Sequence, residues 1–186
     1  MAVPTFNIND IKSQLTYGGA RQTLFSVAIN NKVDRKANEK MQFMVRASSI
    51  PESRLGNIAV PYFGRKINLA GDRVFPEWSV TVINDEDFLI RDAMETWSST
   101  INSLEGNLRQ TRTSSPNEYK SNATVTQYGK TGDVIREYFF DGIYPADISP
   151  IDLDWEATDR IEEFRVTFMY DSWVVLDGPT GFGGGI

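Results

Sequence analysis

Cysteine and histidine are both absent from the 186 residues. Their absence removes thiol nucleophiles, disulfides, thiolate and imidazole metal sites, and every acid-base mechanism that depends on an imidazole titrating near neutrality. Carboxylate pairs, a few Lys and Tyr side chains, and hard-cation sites built from oxygen ligands are the chemistry that remains. Basic charge is also scarce: 19 Lys and Arg face 25 Asp and Glu, a net charge of −6. A nucleic-acid binder needs the opposite excess to neutralise phosphates. No run approaches the roughly 20 apolar residues of a membrane span. The start Met1-Ala2-Val3-Pro4-Thr5-Phe6 lacks a basic segment followed by an apolar one, so synthesis in the cytoplasm is expected. A chain of this length is enough for one domain that buries roughly 70% of its unfolded surface without a metal or disulfide.

Period-two alternation dominates what is present. Phe25, Val27 and Ile29 alternate with Ser26 and Ala28, and Met41, Phe43, Val45 and Ala47 alternate with Gln42, Met44 and Arg46, predicting two early strands. The polar stretch 30–40 between them reads as a solvated connection. Ile58 to Phe63 and Arg65 to Leu69 are strand candidates, with Gly71-Asp72 as a turn before a strand whose inward face holds Trp78, Val80 and Val82. Asn84 to Asp87 supplies a cap and acidic charge for a helix start. The apolar spacing of Leu89, Ala93, Trp97, Ile101 and Leu104 predicts one helix over about residues 87–104. Gln110 to Asn117 reads as a long loop.

Segments 118–128 and 134–144 bracket Gly129-Lys130-Thr131-Gly132-Asp133, a hairpin turn by composition. A phosphate-binding loop would need glycine at position 124, which is Thr124. Ile151, Leu153 and Trp155 alternate over a short run, and Phe164, Val166, Phe168 and Tyr170 mark a long final strand. Many short strands with one flanking helix predict a mainly β fold, a sandwich or barrel-like structure. The expected core includes Phe25, Phe43, Trp78, Val80, Trp97, Phe164 and Phe168. Residues 1–20 and the glycine-rich tail 177–186 read as flexible until a partner holds them.

Asp152 and Asp154 on one strand face, about 7 Å apart, are within reach of a glycosidase pair. The simpler reading is carboxylates on the wet face of a strand that buries Ile151, Leu153 and Trp155. Four Trp and eleven Phe could line a carbohydrate groove, but their apolar neighbours favour a core. Asn84, Asp85 and Asp87 lack the later glycine and glutamate of a calcium loop. Arg65, Lys66 and Arg73 beside Asp72 suit either a phosphate or a protein partner.

The words PYFGRKINLAGDR, WSVTVINDEDF, EYKSNATVTQYG, IDLDWE and EEFRVTFMYDSW, taken in order, closely resemble the tail tube proteins of contractile-tailed bacteriophages. The resemblance runs from about residue 40 to Trp173. It implies a structural virion protein of the phage tail with no enzyme activity and no cofactor, assembled as hexameric rings stacked into a hollow tube. Implied partners are further copies of itself, the tail sheath, baseplate and tail terminator proteins, with the tape measure protein and DNA passing through the lumen without specific binding. Tubes of related injection and secretion machines are similar, and a carbohydrate-binding or glycoside-cleaving β-sandwich is the competing class. If six subunits each give four strands, about 24 strands make a cylinder of about 48 Å, wide enough for duplex DNA. By the resemblance, the hairpin of residues 64–73 contacts the adjacent ring, with Phe63, Arg65, Lys66, Asn68, Asp72 and Arg73 as the expected contact residues.

Overall fold

A computed structural model describes residues 8–15, 18–109 and 115–177. The glycine-rich tail beyond Asp177 lies outside the described residues, as do 1–7 of the N-terminal segment. The elements run α1 (Ile8–Gln14), β1 (Phe25–Ile29), α2 (Arg35–Met44), β2 (Val45–Ser48), β3 (Arg54–Tyr62), β4 (Arg65–Val74) and β5 (Trp78–Ile83). Then come α3 (Leu89–Ile101), α4 (Pro116–Tyr119), β6 (Ser121–Tyr128), β7 (Val134–Ile148), β8 (Glu163–Met169) and β9 (Ser172–Asp177).

Seven strands form one sheet in the order β1-β6-β7-β8-β5-β2, with β9 also on β7, while β3 and β4 pair only with each other. The long strand β7 bends the sheet. Its first part pairs with β6 and β9, and its last part, from Tyr144, pairs with β8. The two halves fold face to face, so that Trp78 on β5 stacks on Phe140 of β7 with ring centroids 4.4 Å apart. The order ends at β1 and β2, and the sheet does not close there into a barrel. A cleft of about 490 Å³ remains, lined by Phe25, Arg46, Ser48, Val125 and Tyr138 among others.

The bend depends on Gly142. It sits at φ +70°, and a Cβ there would lie 2.2 Å from Oδ2 of Asp171, one of the two residues that link β8 to β9. Asp171 in turn accepts from Lys120 Nζ at 2.6 and 2.7 Å, a hydrogen bond that holds the ammonium above the ordinary lysine range. Gly142→Ala is therefore expected to cost about 2–3 kcal/mol in urea unfolding, from left-handed backbone strain of about 1–2 kcal/mol and displacement of Asp171 from Lys120. An unchanged unfolding midpoint would contradict this close approach.

The core is a single cluster drawn from both sheet halves and two helices. On α3 the buried residues are Ile90, Ala93, Met94 and Trp97, the spacing of one helix face. Trp97 donates from Nε1 to the Tyr119 carbonyl at 2.8 Å, and Arg91 lies 5.3 Å over the Phe164 ring. The helix is shorter than the expected 87–104. Its capping position is Phe88, in a left-handed conformation, and Asp87 accepts from Leu89 N at 3.1 Å. At the other end Asn102 is extended, so Leu104 lies outside the helix and is exposed.

Three expectations are corrected. The stretch 35–44 is a second sizeable helix, not a solvated connection followed by a strand. Asn31 starts it, accepting from Val33 N and Asp34 N, and Asp34 accepts from Lys36 N at 2.8 Å. On α2 it is Ala37 and Met41, four apart, that are buried. Phe43, two residues from Met41, lies on the other side of the helix at 84% exposure and is no part of the core. Lys40 of α2 reaches Asp85 and Asp87, both at 2.6 Å, and these hydrogen bonds hold both carboxyls below the usual range. Phe25 is half-buried against the cluster, whereas Trp78, Val80, Trp97, Phe164 and Phe168 are all buried. The run from Ile151 is not a strand but an irregular loop, and only Ile151 packs against the core. Leu153 and Trp155 are 81% and 102% exposed.

Candidate assembly surface

The β3–β4 hairpin turns at Phe63-Gly64, with φ of 42° and 78°. Positive φ at both central residues is the geometry of the two-residue turn whose twist matches its strands. Gly71-Asp72, expected to be a turn, lies within β4. Gly71 is there because the strands come close: a Cβ on it would meet the Gly56 carbonyl carbon at 3.1 Å. The register shifts beside this glycine pair, between Leu55 and Asn57.

From the turn to this bulge the pairs are Tyr62↔Arg65, Val60↔Ile67 and Ile58↔Leu69, alternating with Pro61↔Lys66 and Ala59↔Asn68. Opposite residues share a face. One face is therefore Ile58, Val60, Tyr62, Ile67 and Leu69 with Arg65, and the other is more polar. On a finished domain the apolar face would be covered, yet these five side chains are 41% to 65% exposed. A lone two-stranded ribbon with such a face is marginal in water. Burying what remains exposed is worth on the order of 5 kcal/mol per subunit before association costs.

The expected contact residues are all on this hairpin but do not form one patch. Phe63, 92% exposed, crowns the turn with its ring against Tyr62 at 4.7 Å. Arg65 and Lys66 begin β4 on opposite faces. Asn68 accepts from Asn57 Nδ2 at 3.1 Å across the strands. Asp72 and Arg73 sit at the base, about 26 Å along the strand from Arg65 by the strand rise. Arg73 donates to Ser53 Oγ at 2.7 Å. The charged side chains drew attention in the sequence, while the apolar face was missed. Its signal was the alternation of Ile58, Val60 and Tyr62 with that of Ile67 and Leu69, two residues apart at Phe63-Gly64.

A second exposed apolar element is the β7–β8 loop, residues 149–162. Asp154 Oδ1 accepts from Glu156 N at 2.9 Å, and Ala157 N donates to the Asp154 carbonyl at 3.2 Å, a local turn that holds Trp155 outward. Leu153 and Ile161 on the same loop are also exposed. Asp152 and Asp154, weighed as a glycosidase pair, lie on this open loop and not in the cleft between β1 and β2. Trp78 and Trp97 are buried, so they offer no carbohydrate platform. Among the described residues no group of three or more acidic side chains is placed to hold a metal ion, and no helix is long and apolar enough to cross a membrane.

Comparison with known proteins places this geometry. The family model described as phage tail tube protein matches residues 6–176. Tail tube protein gp19 of Enterobacteria phage T4 is 34% identical over 155 residues, 83% of this chain and 90% of that protein. The tail tube protein of Serratia phage KSP90 is 24% identical over 168 residues, covering 88% and 93%. In fold, the chain is similar to the anti-feeding prophage tube terminating cap, with a TM-score of 0.62 at 15% identity over 85% of this chain and 91% of that one. A hairpin with a bare apolar face on an open β-sandwich, joined to a match along nearly the whole sequence, identifies the chain as a member of the phage tail tube protein family, a structural component of the virion tail.

Proposed function

We propose that this protein assembles into stacked hexameric rings forming the inner tube of a contractile tail, through which the phage genome passes during infection. The observation that carries the reading is the β3–β4 hairpin, whose apolar face has no partner among the described residues but would gain one between copies. Ring closure would also cover free sheet edges such as those of β1 and β2, which otherwise recruit stray strands. The net charge of −6 suits a conduit, because a wall without excess cations does not hold phosphates by counterion release. On this reading the partners are further copies of the chain, the sheath, baseplate and terminator proteins around the tube, and tape measure protein and DNA inside it.

Negative-stain images of the purified protein, alone or seeded with baseplates, are expected to show rings or tubes of uniform bore. Globular monomers under every seeding condition would refute the proposal. A second reading, a tube of a contractile injection system that carries protein in place of DNA, shares the fold. Purified particles with a capsid and DNA would exclude it.

A further inference from the structure

Two of the exposed apolar elements, the β3–β4 hairpin and the β7–β8 loop, carry opposite charge. Residues 54–74, the hairpin, hold four basic side chains, Arg54, Arg65, Lys66 and Arg73, against Asp72 alone. Residues 149–162, the loop, hold five acidic ones, Asp152, Asp154, Glu156, Asp159 and Glu162, against Arg160 alone. Among the described residues no ion pair joins the two elements within the chain. Each also presents aromatic and aliphatic surface: Tyr62, Phe63 and Ile67 on the hairpin, Trp155, Leu153 and Ile161 on the loop.

We propose that the hairpin of one copy docks on the 149–162 loop of the next copy, its apolar face and turn closing over Trp155 and Leu153 while Arg65, on that same face, meets Asp152 and Glu156. Lys66, on the other face beside the turn, adds to the positive charge there. This rests on the reading above that the chain polymerises through its hairpin, and it names the receptor. A second copy is the occupant because the complementary charge is supplied by this same chain. Hairpin on hairpin, or loop on loop, would set like charges together, which costs several kcal/mol. Two different patches that fit one another make a head-to-tail contact, the kind that propagates into rings or filaments instead of closing as a dimer. An exposed Trp flanked by smaller apolar side chains is also the composition of an interface anchor. The turn around Asp154 fixes it before docking, which lowers the ordering cost.

The test uses two charge-reversed variants of the full chain, Arg65→Glu with Lys66→Glu, and Asp152→Lys with Glu156→Lys. Asp154 is left in place because it holds the turn. Each variant alone is expected to need at least roughly tenfold more protein to assemble in a pelleting assay, like charges now meeting. Mixed in equal amounts, the two are expected to assemble together, because each supplies the surface the other lost. If the loop variant assembles as the unaltered protein does while the hairpin variant fails, the receptor is elsewhere and the hairpin reading stands. If both assemble normally, the charged pairing of hairpin and loop falls. A mixture that stays dispersed, where each variant alone also fails, overturns the pairing. Independently of charge, Phe63→Cys with Trp155→Cys places the only two thiols in a chain that has none. Oxidised assemblies should then run as a ladder of linked subunits on denaturing gels, and a monomer band alone would overturn the contact.

Discussion

Trp78→Ala is expected to lower the melting temperature of the monomer by roughly 10 to 15 °C. Trp78 is 2% exposed, stacked on Phe140 at 4.4 Å and tilted against Phe168 at 5.6 Å. It joins the two halves of the bent sheet across the core, and its Nε1 donates to the Ser49 carbonyl at 2.9 Å. Removing a buried Trp costs roughly 3–5 kcal/mol through lost contacts and the cavity left behind. In a domain of this size each kcal/mol moves the melting point by about 2–4 °C. The same truncation at Trp155 deletes equal apolar surface from a side chain already in solvent, so it is expected to move the melting point by no more than about 1 °C. Circular dichroism melts of the two variants side by side give the measurement. Equal melting points for the two would mean that the halves of the sheet do not meet at Trp78.

Val60→Lys combined with Ile67→Glu is expected to abolish assembly while leaving the monomer folded. The two positions face each other directly across the hairpin, on the apolar face. An opposite-charge pair there retains a cross-strand interaction of about 0.2–1 kcal/mol, so the ribbon keeps its register. Docking against another copy, however, would now bury two charges, and a buried ion without good partners costs several kcal/mol. Light scattering should show monomers at concentrations where the unaltered protein forms tubes, with thermal melts within about 2 °C of each other. Normal tubes from this variant would remove the apolar face from the interface and with it the central observation behind the proposed assembly.

The strands with buried alternate residues were legible locally. Trp78, Val80 and Val82, or Phe164, Val166 and Phe168, are read off at period two because one face of each strand meets the core. The same pattern misled at Met41 and Phe43, where apolar residues two apart fall on opposite sides of a helix. The competing signal, Ala37 and Met41 four apart behind the Asn31 and Asp34 turn, was present but short. At Ile151, Leu153 and Trp155 the alternation was sound as a pattern, yet among the described residues no second layer lies over it, so the segment stays a loop with its Trp in solvent. The hairpin is the same case in reverse. Its alternation is that of an ordinary half-buried ribbon, and nothing local says that no surface among the described residues covers it.

Composition and the order of its motifs were enough to set the chemistry of this protein: an acidic β chain without thiol or imidazole, built like a tail tube subunit. Those properties are written residue by residue and survive any rearrangement of loops. Which apolar residues are hidden and which are left bare is a different kind of fact. Burial requires two surfaces, and the partner of a given strand face lies far along the chain, as Phe140 does from Trp78, or, as proposed for the hairpin, on another copy.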